Sequence, residues 1–167
     1  MEENSKDEFV FDTSALISLG IAKLIDKVLE ISKIITSQGV IDELDDFAKF
    51  SDKYGNTARE VLKFKESFSI SEINIKEEIN YISKTDNELY NLAKEKSIPI
   101  ITDDIKLCRH IDNIATTYFS TFFLVALITS DKLSKEKALE LLDKMKENRN
   151  WRGNIIYIAS KNEIESL

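Results

Sequence analysis

Three short apolar runs without polar alternation mark the first two thirds of the chain. They are Phe9-Val10-Phe11, Ile34-Ile35 within Lys33–Thr36, and Ile98 to Thr102. A run of this kind, bounded by polar residues, reads as a strand buried on both faces. Phe68 to Ile70 is a weaker strand candidate. Between the runs the period changes to that of helices. Ile21, Leu24, Ile25, Val28 and Leu29 follow the i, i+3, i+4, i+7, i+8 pattern, which predicts one amphipathic helix there. Ser37 is placed to cap a helix whose apolar face is Val40, Ile41, Leu44, Phe47 and Ala48. Asn56 or Thr57 opens a further helix with Ala58, Val61 and Leu62 inward. Thr85-Asp86-Asn87-Glu88 fits a capping box, with Thr85 as cap and Glu88 as its reciprocal partner. Leu89, Leu92 and Ala93 continue that helix inward.

Strands alternating with helices predict βαβ units and a parallel sheet. The fold class is α/β: a three-layer α/β/α domain with a central parallel sheet of about four to five strands. Right-handed crossovers bring the carboxyl ends of the strands to one edge, where open sheets bind ligands. After His110 the pattern predicts helices only. Ile114 to Ser130 reads as one of them, and Ser134 caps another with Ala138, Leu141, Leu142 and Met145 buried. Ile155 to Ile158 fits an edge strand or the start of a closing helix. The reading is a single domain over 1–167, with an α/β core over 8–112 and a helical extension over 113–167.

That topology gives the acidic residues their interest. Asp12 closes the first apolar run and Asp104 closes the last. Glu43 lies early in the helix after the second strand, and Asp86 opens another helix. Gathered at one sheet edge, four carboxylates would repel unless a cation joined them. Hard divalent cations take oxygen ligands, so a cation of that kind is the implied cofactor. With one cysteine, Cys108, and one histidine, His110, the chain lacks a Cys/His zinc set and an internal disulfide. That usage points to a cytoplasmic protein. Met1 to Glu8 is acidic and polar, unlike a signal peptide. Tyr118 to Ile128 is about half a membrane span, so no membrane partner is expected.

Net charge of −7 weighs against nucleic-acid binding. The charge is uneven, however: Asp131 to Arg152 holds seven basic and five acidic residues. Lys146, Arg149, Trp151 and Arg152 form a basic-aromatic stretch there, and Lys106 and Arg109 follow Asp104. These five basic residues are candidate RNA contacts. Trp151 is better read as sealing the tail against the core than as stacking on a base.

Four stretches, in order, resemble the motifs of PIN domains: Phe-Val-Phe-Asp12-Thr13-Ser14-Ala-Leu, Val40-Ile-Asp-Glu43-Leu, Asp86-Asn-Glu-Leu-Tyr-Asn-Leu-Ala93 and Ile-Ile-Thr102-Asp103-Asp104. The resemblance covers roughly residues 8 to 112. It implies a Mg²⁺- or Mn²⁺-dependent endoribonuclease for single-stranded RNA, with Asp12, Glu43, Asp86 and Asp104 as the acidic core. Thr13, Ser14 and Thr102 would orient those acids, and Asp103 would support them or act through water. It further implies 5′-phosphate and 3′-hydroxyl products. Many small members are toxins of toxin–antitoxin pairs, so an antitoxin partner and a homodimer are expectations too. The rivals are a non-catalytic PIN-fold module that binds RNA or serves as a scaffold, and a phosphatase using Asp12 as nucleophile. The second would want an aspartate where Ser14 stands.

Overall fold

A computed structural model describes residues 6–151 and 153–167. Strand β1 (Asp7–Phe11) leads into α1 (Thr13–Ala22) and α2 (Ile25–Ile31), then β2 (Ser32–Ser37) and α3 (Gln38–Ala48). Helix α4 (Lys53–Leu62) and a 3-10 turn (Lys65–Ser67) precede β3 (Ser69–Ser71). Next come α5 (Lys84–Lys96), β4 (Ile100–Ile101), α6 (Ile105–Ile111) and β5 (Thr117–Tyr118). The chain closes with α7 (Phe122–Thr129), α8 (Lys135–Arg149) and α9 (Ile155–Ser166). The five strands are all parallel, in the order β3-β2-β1-β4-β5, with helices flanking the sheet. This is the α/β fold that the alternating periods predict.

Burial explains the apolar runs. Val10, Phe11, Ile34, Ile35, Ile100 and Ile101 are almost fully buried, as strands covered on both faces require. Phe9 and Phe11 pack against Phe122 and Phe123, with ring centroids 5.4 to 5.7 Å apart. The apolar start of α7 thereby covers β1. Ser37 caps α3 by accepting from the Val40 N–H, and Ser134 caps α8 by accepting from Lys137. Ala138, Leu141, Leu142, Met145 and Trp151 are buried, so the tail does seal against the core.

Several expected elements move. The helix expected through Ile21 and Leu29 is two helices, because Lys23 takes the left-handed conformation (φ 56°). The N–H groups of Lys23 and Leu24 bond back to Gly20 and Leu19, a Schellman ending. The break keeps Ile21, Leu24, Ile25 and Val28 buried all the same. Helix α4 begins earlier than Asn56, at Lys53, because Asp52 caps it through the Gly55 N–H at 2.8 Å. Residues 114–130 are not one helix. Thr117–Tyr118 pairs with Ile100–Ile101 as the fifth strand, and only Phe122–Thr129 is helical. The tail from Ile155 is a helix capped by Asn154. Among the described residues, no helix is long and apolar enough to cross a membrane.

Candidate active site

The carboxyl ends of β1 and β4 lie side by side, with Phe11 opposite Ile101. The Asp12 N–H continues the ladder to Ile101 O at 3.0 Å. One step past the strands, Thr102 Oγ1 therefore meets Asp12 Oδ2 at 2.7 Å. Ser14 Oγ donates to the same oxygen at 2.6 Å. Each hydroxyl also accepts a backbone proton, Ser14 from Asp103 N–H at 2.9 Å and Thr102 from Asp104 N–H at 3.1 Å. Both hydroxyl protons are thus committed to Asp12 Oδ2, and the Ser14–Thr102 contact at 3.3 Å is left without one. Ser14 and Thr102 thus both hold one oxygen of Asp12.

The other three acids are held in a similar way. Thr13 Oγ1 donates to Glu43 Oε2 at 2.5 Å, tying α1 to α3. Asp86 Oδ2 accepts from Ser83 N–H at 3.2 Å and Ser83 Oγ at 2.8 Å, while Ser83 Oγ accepts from Asp86 N–H at 3.0 Å. The capping box of α5 is therefore Ser83 with Asp86, two residues earlier than Thr85 with Glu88. Glu88 instead lies 3.9 Å from Lys84 Nζ and against Gly39. A Cβ at Gly39 would stand 2.5 Å from Glu88 Oε2, so this glycine lets the starts of α3 and α5 approach. Asp104 Oδ1 caps α6, accepting from Lys106 N–H at 2.7 Å and Leu107 N–H at 3.2 Å.

All four acids line one cavity of about 390 Å³, with Thr13, Ser14, Ile17, Phe47, Tyr54, Ser83 and Arg149. In each acid the chain holds a single oxygen: Oδ2 of Asp12 and Asp86, Oε2 of Glu43, Oδ1 of Asp104. The second oxygen of each takes no hydrogen bond from a described residue. The expected convergence at one sheet edge is present. The acids are spread around the cavity: among the described residues, no three Asp, Glu, Cys or His groups stand close enough to hold one ion directly. Mutual repulsion and the separate anchors account for the spacing.

Asp12 is buried, and burial pushes its carboxyl up to about 6. The Ser14 and Thr102 hydroxyls oppose that rise, and the charges of Asp86 and Glu43 add to it. Asp103 departs from expectation. Its carboxylate does not line the cavity but turns into the protein, where Oδ1 accepts from Ser120 N–H at 2.8 Å and Oδ2 from Ser120 Oγ at 2.7 Å. Burial raises its pKa, while the Ser120 bonds and the positive charge of Arg149 act to lower it. Side chains alternate past a strand end, so Asp103 and Asp104 face opposite ways. Asp103 supports Asp12 through its backbone N–H alone.

Of the candidate RNA contacts, Arg149 lines the cavity. Lys106 and Arg109 are exposed on α6 outside it. Lys146 is paired with Asp143 at 2.9 Å and lies over the Tyr157 ring. Arg152 lies outside the described residues. Tyr54, Phe47, Ile17 and Ser83 were not expected here; their contribution is set by how α1, α3, α4 and α5 pack, which no local pattern encodes.

Residues 8–165 match the DUF3368 family model, described as a PIN domain. The chain belongs to the PIN-domain family. The match spans the helical tail as well as the four motifs. Among solved structures, PAE2754 from Pyrobaculum aerophilum is 20% identical, with a TM-score of 0.54 over 74% of this chain and 98% of that one. A domain of a functionally unknown protein from Methanocaldococcus jannaschii DSM 2661 is also 20% identical, with a TM-score of 0.49 over 68% of this chain and 90% of that one. At such identity the first likeness speaks for the PIN fold alone. No curated protein matches the chain.

Proposed function

We propose that this PIN domain is a Mg²⁺- or Mn²⁺-dependent endoribonuclease that hydrolyses single-stranded RNA. One observation carries the reading: four carboxylates face one cavity, each with one oxygen anchored by the chain and the other without a hydrogen bond among the described residues. Anchoring one oxygen fixes the direction of the other, the arrangement a ligand-binding carboxylate needs. The donor set is all oxygen and suits a hard cation. Its spacing suits Mg²⁺, which keeps several waters and takes few carboxylates directly. Asp12, Glu43, Asp86 and Asp104 would hold the ion between them, in part through its waters. When bound, it supplies an activated water and offsets charge on the phosphate.

The residues of the chain set up that chemistry. Thr102 and Ser14 hold Asp12 in one rotamer, and Thr13 does the same for Glu43. Burial raises the energy of the ionised Asp12, so a cation is favoured there over water. Single-stranded RNA is the substrate assigned, cut to 5′-phosphate and 3′-hydroxyl ends. A second copy and an antitoxin are the partners that the family resemblance adds.

A non-catalytic binding module is the second reading. It draws on the caps: Asp86 and Asp104 already serve the N-termini of α5 and α6. Calorimetric titration with Mn²⁺ separates the two. A catalytic PIN domain binds the ion, and Asp12→Asn weakens binding at least about tenfold, in line with lost coordination. A module that only docks RNA shows no saturable heat.

A further inference from the structure

Among the described residues, Arg149 is the sole cation lining the acidic cavity. It is the last residue of α8, far from the four acidic motifs in sequence. Its position is fixed from both sides. Tyr54 Oη donates to Asn148 O at 3.0 Å and Lys53 Nζ donates to the same oxygen at 2.6 Å, stitching α4 to the last turn of α8. Beyond it, Asn150 turns left-handed (φ 57°), and the buried Trp151 bonds back to Lys146 O at 2.9 Å. The guanidinium lies over the Tyr54 ring, 5.8 Å from its centroid.

Arg149 Nε is shielded from solvent and has no hydrogen-bond partner among the described residues. No ion pair among them includes Arg149, although four carboxylates line the same cavity. A shielded N–H left without a partner is costly, although the rest of this side chain is only half-buried. An arginine free to move would fork onto a carboxylate. This one lies over Tyr54 and forms no ion pair with the carboxylates of the cavity, while its charge acts on the buried Asp103 without a direct bond. A phosphodiester satisfies both sides. Its non-bridging oxygens would accept from the guanidinium, while the acids would hold the cation that offsets its charge.

We propose that Arg149 is a phosphate-binding residue, supplied by α8 to complete the cleavage site in cis. The proposal rests on the nuclease reading above. The C-terminal helices are then part of the active site, and a chain cut after α6 would lack its phosphate anchor.

The test compares Arg149→Gln with the parent chain in two assays. Binding of a fluorescent single-stranded RNA is measured by anisotropy in an Asp12→Asn background, which prevents cleavage, across a series of salt concentrations. Cleavage is measured with Mn²⁺ in the otherwise unaltered chain. The proposal expects affinity to fall about tenfold or more, and the salt slope to drop by about one unit, the mark of one lost phosphate contact. KM rises accordingly, while the affinity for Mn²⁺ alone is unchanged. Arg149→Met keeps an unbranched stem over Tyr54 and gives the same reading where glutamine unfolds the end of α8. An unchanged salt slope and KM in a folded variant overturn the proposal while leaving the nuclease reading intact. A parent chain that neither binds nor cleaves single-stranded RNA overturns both.

Discussion

Thr102 Oγ1 lies 2.7 Å from Asp12 Oδ2, although 90 positions separate the two residues. Parallel pairing of β1 with β4 makes them neighbours, and the hydroxyl proton is directed at the carboxylate because its oxygen already accepts from Asp104. Thr102→Val keeps the shape and removes both bonds. It should destabilise the fold by about 2 kcal/mol, since the Asp104 N–H and Asp12 each lose a partner. Equilibrium denaturation in urea reads this directly.

Asp12 makes stability depend on pH with a definite sign. Its folded pKa is about 6 against an ordinary 3.8. The unfolded chain gives up this proton more readily, so the contribution is fully present below pH 3.8 and lost as pH rises through 6. In EDTA, Asp12→Asn should therefore be more stable than the parent by about 3 kcal/mol at pH 7.5. The gap should close as pH falls to about 4. Paired denaturation curves across that window check the sign.

A cation that binds the folded state alone shifts its melting temperature upward. Saturating Mn²⁺, at about a hundred times its dissociation constant, should add about 2.7 kcal/mol to the parent chain. At the same concentration the shift should fall to about half or less in Asp12→Asn. Differential scanning fluorimetry with and without Mn²⁺ measures both.

Gly55 sits where α3 turns into α4, and a Cβ there would stand 2.0 Å from Phe50 O and 2.8 Å from Phe47 O. Both obstacles are backbone. Gly55→Ala should cost about 3 kcal/mol and displace Phe47 and Tyr54, two walls of the cavity. Thermal denaturation checks the first effect.

The sheet was legible where the strands are buried on both faces. Phe9 to Phe11 and Ile34-Ile35 announce themselves as apolar runs. Thr117-Tyr118 does not, because a two-residue edge strand with one exposed side chain leaves no run to see. Two overlapping Ser/Thr-to-acid spacings, Ser83 to Asp86 and Thr85 to Glu88, compete at the start of α5, and only the folded backbone chooses between them. Asp12 and Asp104 were legible because topology brings strand ends together, and Glu43 and Asp86 because their helices start beside the same edge. The inward turn of Asp103 was not, since Ser120 reaches it only through the β5 connection. Arg149 stood out in sequence as one basic residue among several. What singles it out is the packing of α8 on α4, a contact between distant segments.

The most direct measurement is incubation of a single-stranded RNA with the chain, with Mn²⁺ and with EDTA, beside Asp12→Asn. The account predicts cleavage by the parent chain with Mn²⁺, none in EDTA, and none by Asp12→Asn in either. Cleavage that persists in EDTA or in Asp12→Asn, or no cleavage by a folded parent chain that has bound Mn²⁺, would contradict it.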